Sequence, residues 1–140
     1  MTGSRYVIGT LLLAALLAGC AAEKVDPALE MQRQAQLQRM QTRTYDTRDK
    51  NLVIRGVIAA IQDLNFVIVN ADVAQGIVIA KKFGAYPVDL TVSVQAISDD
   101  QMLVHGIAQS NLKTIEEPLL YEQLFSSFEE FTPSLAHADE

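Results

Sequence analysis

Few side chains in this sequence are of a type and spacing that could do chemistry. Cys20 is the single cysteine of 140 residues, and the histidines are only His105 and His137. Catalysis or metal binding needs clusters of His, Cys, Asp or Glu. His137 stands near the C-terminus beside Asp139, and His105 lies within an apolar stretch, where a hydrogen-bonded strand residue is the plainer reading. No Gly-x-Ser-x-Gly elbow occurs, and the glycines form no phosphate-cradling pattern. Asp46 and Asp49 read as helix-capping residues, and Asp99-Asp100 as a solvated turn without the spaced ligands of a calcium loop. These residues predict no enzyme, no metal and no cofactor. Cys20 is different. It directly follows small residues at the end of a short apolar run beginning near Val7, the arrangement of a cleavage and lipidation signal.

The four residues Leu17-Ala18-Gly19-Cys20 resemble the lipobox of bacterial lipoproteins, in which a leucine, a small residue and Gly or Ala precede the cysteine. The resemblance implies a diacylglyceryl group on the Cys20 sulfur, cleavage before it, and acylation of the new amine. From Val7 to Ala18 there are about 12 apolar-leaning residues, whereas a transmembrane helix needs roughly 20. Two or three acyl chains anchor stably, since each buried methylene contributes about 0.8 kcal/mol. In lipoproteins of this kind an aspartate after the cysteine marks inner-membrane retention. Here Ala21 and Ala22 follow, which implies the outer membrane and its periplasmic face.

The net charge of −6 becomes −7 when residues 1–19, with Arg5, are removed, and it argues against a nucleic-acid partner. Charge is unevenly placed. Between Met31 and Arg55 six basic residues stand against Asp46 and Asp49, while from Gly56 onward there are three basic and twelve acidic residues. Arg39, Arg43, Arg48 and Arg55 are thus candidates for contact with anionic headgroups or an acidic partner. With the only cysteine assigned to the lipid, no disulfide supports the fold, so the domain must stand on an apolar core of Val, Ile, Leu and Ala.

The chain divides into a signal peptide (1–19), a lipidated N-terminus and tether (20–41), a single domain (42–132) and a disordered tail (133–140). In the tether, Leu29, Met31, Leu37 and Met40 make no good helical stripe. Residues 42–47 read as a strand. Val53, Ile54, Val57, Ile58, Ile61 and Leu64 then recur at three- and four-residue intervals, predicting an amphipathic helix over 50–64 capped by Thr47 or Asp49. Gly56 inside it costs about 1 kcal/mol against Ala unless it admits a close approach to the sheet. The run Phe66-Val67-Ile68-Val69 predicts a central strand, residues 70–76 a turn, and 77–80 a returning strand. Leu90, Val92, Val94 and Ala96 alternate with polar residues, and 102–109 pairs back across a turn at 98–101. Thr114 and Glu117 are spaced as a capping box before a second helix that starts at Pro118, carries Leu120, Leu124, Phe128 and Phe131 on its apolar side with Tyr121 and Phe125 alongside, and ends at Pro133.

The expected fold is a two-layer α+β domain of order β-α-β-β-β-β-α, an antiparallel sheet with two helices on one face. This order resembles the small helix-grip domains of accessory lipoproteins in the outer-membrane β-barrel assembly machinery. Gln41-Thr42-Arg43-Thr44-Tyr45-Asp46-Thr47, the Leu64-Asn65-Phe66 helix end and Glu117-Pro118-Leu119-Leu120-Tyr121 resemble a family of uncharacterised bacterial lipoproteins over residues 41–131. Those relatives usually carry Gly where this chain has Asn65. The function expected is a non-catalytic, lipid-anchored envelope protein, an accessory or interaction component of an outer-membrane or periplasmic assembly with an envelope protein as its partner. The alternative is a periplasmic carrier of small apolar ligands.

Overall fold

The computed structural model describes residues 24–135 and separates them into two compact units, one ending at Arg33 and one beginning at Gln34. In the first, Asp26 accepts a hydrogen bond from the Ala28 amide at 3.0 Å, starting helix α1 (Pro27–Gln41), and Leu29 and Met31 are exposed. The segment expected as a tether is therefore helical from Pro27. Within the second unit, Leu37, Met40 and Gln41 turn inward, with Leu37 and Met40 packed on the domain core and Gln41 buried. Their spacing of three and one spans a single turn, too little to register as an amphipathic stripe. The body of the domain accordingly begins before residue 42.

The remaining elements are β1 (Thr42–Tyr45), α2 (Lys50–Asp63), β2 (Val67–Asp72), β3 (Ile77–Lys82), β4 (Val88–Ser98), β5 (Gln101–Ser110), β6 (Lys113–Thr114) and α3 (Pro118–Phe131). The fold is α+β. All strand pairs are antiparallel, in the order β1-β5-β4-β3-β2, with β6 also on β5. Alternate residues Val78, Ala80, Leu90, Val92, Val94, Met102, Val104 and Ala108 are buried on one sheet face. Val53, Ile54, Val57, Ala60 and Ile61 of α2, and Tyr121, Leu124, Phe125 and Phe128 of α3, complete that core.

Caps and turns set the ends of α2. Asp49 accepts the Leu52 amide at 2.9 Å at its start. At its end Asn65 takes φ 64°, with its amide on Gln62 O at 3.0 Å and the Phe66 amide on Ile61 O at 3.1 Å. That is a Schellman closure in which Asn supplies the left-handed residue.

Several expectations are corrected. Strand β2 is an edge strand, not a central one. Only Phe66 and Ile68 of its apolar run turn inward, while Val67 and Val69 are 54% and 55% exposed. It also runs through Asp72, with a bulge between Ile68 and Asn70, so the turn is shorter than 70–76. Gly56 admits α3 rather than the sheet: a Cβ there would meet Thr132 Cγ2 at 2.5 Å and Phe128 Cε2 at 2.9 Å. Thr114 lies in β6, and Glu117 caps α3 with no side-chain hydrogen bond, so the capping box does not form and Pro118 starts the helix. Of the tail expected from residue 133, Pro133–Leu135 instead form a 3-10 turn with Leu135 buried, and residues 136–140 lie outside the described residues.

Candidate interaction surface

Cys20, expected to carry the lipid, and Leu17, Ala18 and Gly19, expected to direct cleavage before it, lie outside the described residues. The four candidate arginines fall on different elements: Arg39 on α1, Arg43 on β1, Arg48 in the β1–α2 connection and Arg55 on α2. Arg43 is half-buried and committed to the fold. Its Nη1 donates to the carbonyls of Arg39 and Thr42, both at 2.8 Å, and its guanidinium lies 4.7 Å from the Phe125 ring centre. It thus satisfies one terminal carbonyl of α1, that of Arg39, at the negative end of the helix dipole, and the first carbonyl of β1. Arg39, Arg48 and Arg55 are exposed.

His105 sits half-buried on β5 with its Nδ1 2.9 Å from Thr42 Oγ1. It lines an open cleft of about 250 Å³ with Gln34, Leu37, Gln38, Gln41, Ile107 and Thr114. Burial holds the imidazole below its ordinary value of 6.5, and no lining side chain is acidic or basic apart from His105 itself. The cleft offers neutral hydrogen-bonding groups. Among the described residues no group of three or more His, Cys, Asp or Glu could hold a metal ion.

Sequence reasoning missed the polar centre around Tyr121. The buried Tyr121 hydroxyl donates to Ile115 O at 2.6 Å and accepts from Gln41 Nε2 at 3.1 Å and the Ala108 amide at 3.4 Å. One side chain therefore ties the end of α1, β5 and the lead into α3 together. The Gln-x-x-x-Tyr spacing from Gln41 to Tyr45 gave no sign of it, because the partner lies 80 residues away. The helix face of the sheet is filled by rings, with Tyr45 and Phe128 centred 4.7 Å apart.

What the fold leaves open is a strand edge. Among the described residues no strand pairs beyond β2, so one row of its backbone groups faces outward, flanked by the exposed Val67 and Val69. An edge of this kind can accept an added strand, main-chain bonds giving affinity and alternate side chains giving selectivity. No protein-family model matches the sequence, and no curated protein matches it. The likeness to bacterial lipoproteins accordingly rests on the chain's own motifs.

Proposed function

We propose that this chain is a non-catalytic lipoprotein of the bacterial envelope, held by acyl chains on Cys20 at the periplasmic face of the outer membrane, whose domain docks on a protein of an envelope assembly. The observation that carries the docking half is the open β2 edge, a protein-binding feature on a domain whose helix-to-sheet interior is already full. The anchor half is carried by Leu17-Ala18-Gly19-Cys20. Among the described residues no helix is long and apolar enough to cross a membrane, so attachment by lipid needs no contribution from them. The carrier alternative has less support. Tyr45, Tyr121, Leu124, Phe125 and Phe128 are buried between helices and sheet, where an apolar ligand would have to sit, and the His105 cleft is open and mixes Gln34, Gln38 and Gln41 with Leu37 and Ile107.

Palmitate labelling with membrane fractionation tests the anchor: the label should be present in the native chain and absent from Cys20→Ser, which should stay unprocessed or mislocalised. Normal maturation and sorting of Cys20→Ser would sink the lipoprotein reading. A photocrosslinking residue at Val67, compared with one at Ile97, tests the docking. A single defined adduct from Val67 alone is expected in intact envelopes, and equal or absent adducts from both positions count against the edge.

A further inference from the structure

From Gly56 to the C-terminus this acidic chain contains only three basic residues, Lys81, Lys82 and Lys113. The fold brings all three to one end of the sheet. Lys82 pairs with Val88 at the last rung of β3 and β4, Asp89 with Gln109, and Ser110 with Lys113. The loop 83–87 and the turn at Asn111-Leu112 therefore project beyond the same end, and Ser110 Oγ bonds Pro87 O across them at 3.0 Å. Strands spaced about 4.8 Å apart put these features within one small patch.

The tips are apolar and fully offered to the outside. Leu112 is 92% and Tyr86 85% exposed, the two highest values among the described large hydrophobic residues, and Phe83 is 72% exposed. Leu112 is also held at φ 63°, after Asn111 at φ 49°. A two-residue hairpin turn of this type favours Asn followed by Gly, because a Cβ is strained at positive φ. A bulky apolar side chain is thus displayed, at a conformational cost, at a position where it touches no core. Such strain points to a role outside the fold.

Charge selects the occupant. At the tips themselves, residues 82–88 and 109–115 carry Lys82 and Lys113 and no carboxylate, with Asp89 and Glu116-Glu117 following further from the end. Lys81 pairs with Asp89 at 3.1 Å, leaving the Lys82 ammonium, 5.5 Å from the Phe66 ring centre, and Lys113 to supply the local positive field. The opposite end of the sheet carries Asp99 and Asp100, with Asp46 joined to Gln101 at 2.9 Å. Aromatic and aliphatic tips thus stand between lysines at this end, while the opposite end mixes Asp46, Asp99 and Asp100 with Lys50, whose Nζ donates to Ala74 O at 3.2 Å. Rings placed among cationic side chains match the headgroup layer of an anionic bilayer, where aromatic side chains settle and lysine stems snorkel.

We propose that the sheet end formed by Phe83, Tyr86 and Leu112, framed by Lys82 and Lys113, inserts into the headgroup region of an anionic bilayer and orients the domain on its membrane. This rests on the membrane attachment proposed above and names a second, reversible contact with the same surface.

The chain has no tryptophan, so a single one reports cleanly. The full chain carrying Tyr86→Trp is reconstituted into phosphatidylcholine vesicles with and without phosphatidylglycerol, with Ile97→Trp at the opposite end as the comparison. Tyr86→Trp should emit at shorter wavelength and be quenched by brominated acyl chains, more strongly with phosphatidylglycerol present, while Ile97→Trp stays water-exposed. Adding Lys82→Glu and Lys113→Glu should remove the preference for the anionic vesicles, each lysine being worth about fivefold in partition. Equal quenching at both positions, or none at Tyr86→Trp, overturns the proposal. A blue shift that requires envelope proteins and not lipid also overturns it, in favour of a protein partner. Mass analysis of the Cys20 peptide in the same preparation separates the two readings: an acylated Cys20 with an unquenched Tyr86→Trp refutes the docking alone, and an unmodified Cys20 with a quenched Tyr86→Trp refutes the anchor alone.

Discussion

Removing the Tyr121 hydroxyl separates hydrogen bonding from packing in the core, because Tyr121→Phe keeps the ring and strands three buried partners: Ile115 O, Gln41 Nε2 and the Ala108 amide. A buried polar group left unpaired costs about 1–3 kcal/mol. Urea unfolding should show a loss in that range at unchanged m-value, and Gln41→Leu should cost less, since the hydroxyl keeps two of its bonds. The motif that Gln41 opens has the same character along its length. Thr42 meets His105, Arg43 covers Phe125, Tyr45 donates to Glu129 at 3.3 Å, Asp46 accepts from Gln101, and Thr47 accepts the Asp49 amide at 3.1 Å. Its residue types were legible in the sequence, but their purpose was not, because every partner except Asp49 is distant in the chain. The residue motif thus builds the fold. His105 adds a pH dependence. Burial favours its neutral form, so as pH falls below about 6.5 the unfolded chain takes up a proton that the folded chain does not. Stability should therefore decline as pH drops from 6.5 toward the lower folded value and then level off, and His105→Gln should flatten that part of the curve in thermal melts taken between pH 7.5 and about 5.

Helices α2 and α3 meet where Gly56 faces Phe128 and Thr132, with Ser127 Oγ donating to Asp63 Oδ2 at 2.8 Å to fix the crossing. Gly56→Ala gains about 1 kcal/mol of helix propensity, but it forces a methyl group to within 2.5 Å of Thr132 Cγ2 and 2.9 Å of Phe128 Cε2, both on buried residues. Overpacking of a filled core costs about 1–3 kcal/mol, so the net effect should be destabilising and should grow with Gly56→Val. A stabilised Gly56→Ala in denaturant titrations would show that α3 shifts aside freely. The elements with a sustained period were legible: α2 from its three- and four-residue recurrence, β4 from strict alternation, α3 from Leu124 and Phe128 behind Pro118. Those set by a few distant contacts were not. Helix α1 shows the domain only Leu37, Met40 and Gln41, and β6 is Lys113 and Thr114 laid against β5. The place of β2 failed for another reason, since an unbroken apolar run fits a buried strand and equally a strand whose outer residues await a partner.

At the scale of the whole domain the two faces of its problem are unequal. One sheet face is closed by α2 and α3 over a continuous core, and every buried side-chain nitrogen or oxygen among the described residues has a hydrogen-bond partner. Among the described residues no strand closes the edge at β2. Natural edges are commonly protected by charges, lysines or bulges; β2 carries a bulge between Ile68 and Asn70, while the outward Val67 and Val69 bring no charge to it. If that edge is kept open for an added strand, charging it should separate folding from docking. Val67→Lys with Val69→Lys replaces half-exposed side chains that the core does not hold, so the stability change should stay within about 0.5 kcal/mol per site. The same pair should abolish the adduct formed by a photocrosslinking residue placed at Ala71, on the strand but away from both substitutions. An adduct that survives at full yield would move the docking surface elsewhere. A large loss of stability would instead show that β2 already carries weight in the fold, and the comparison with Ile97→Lys, exposed at the far end of β4, fixes what an ordinary surface substitution does in the same assay.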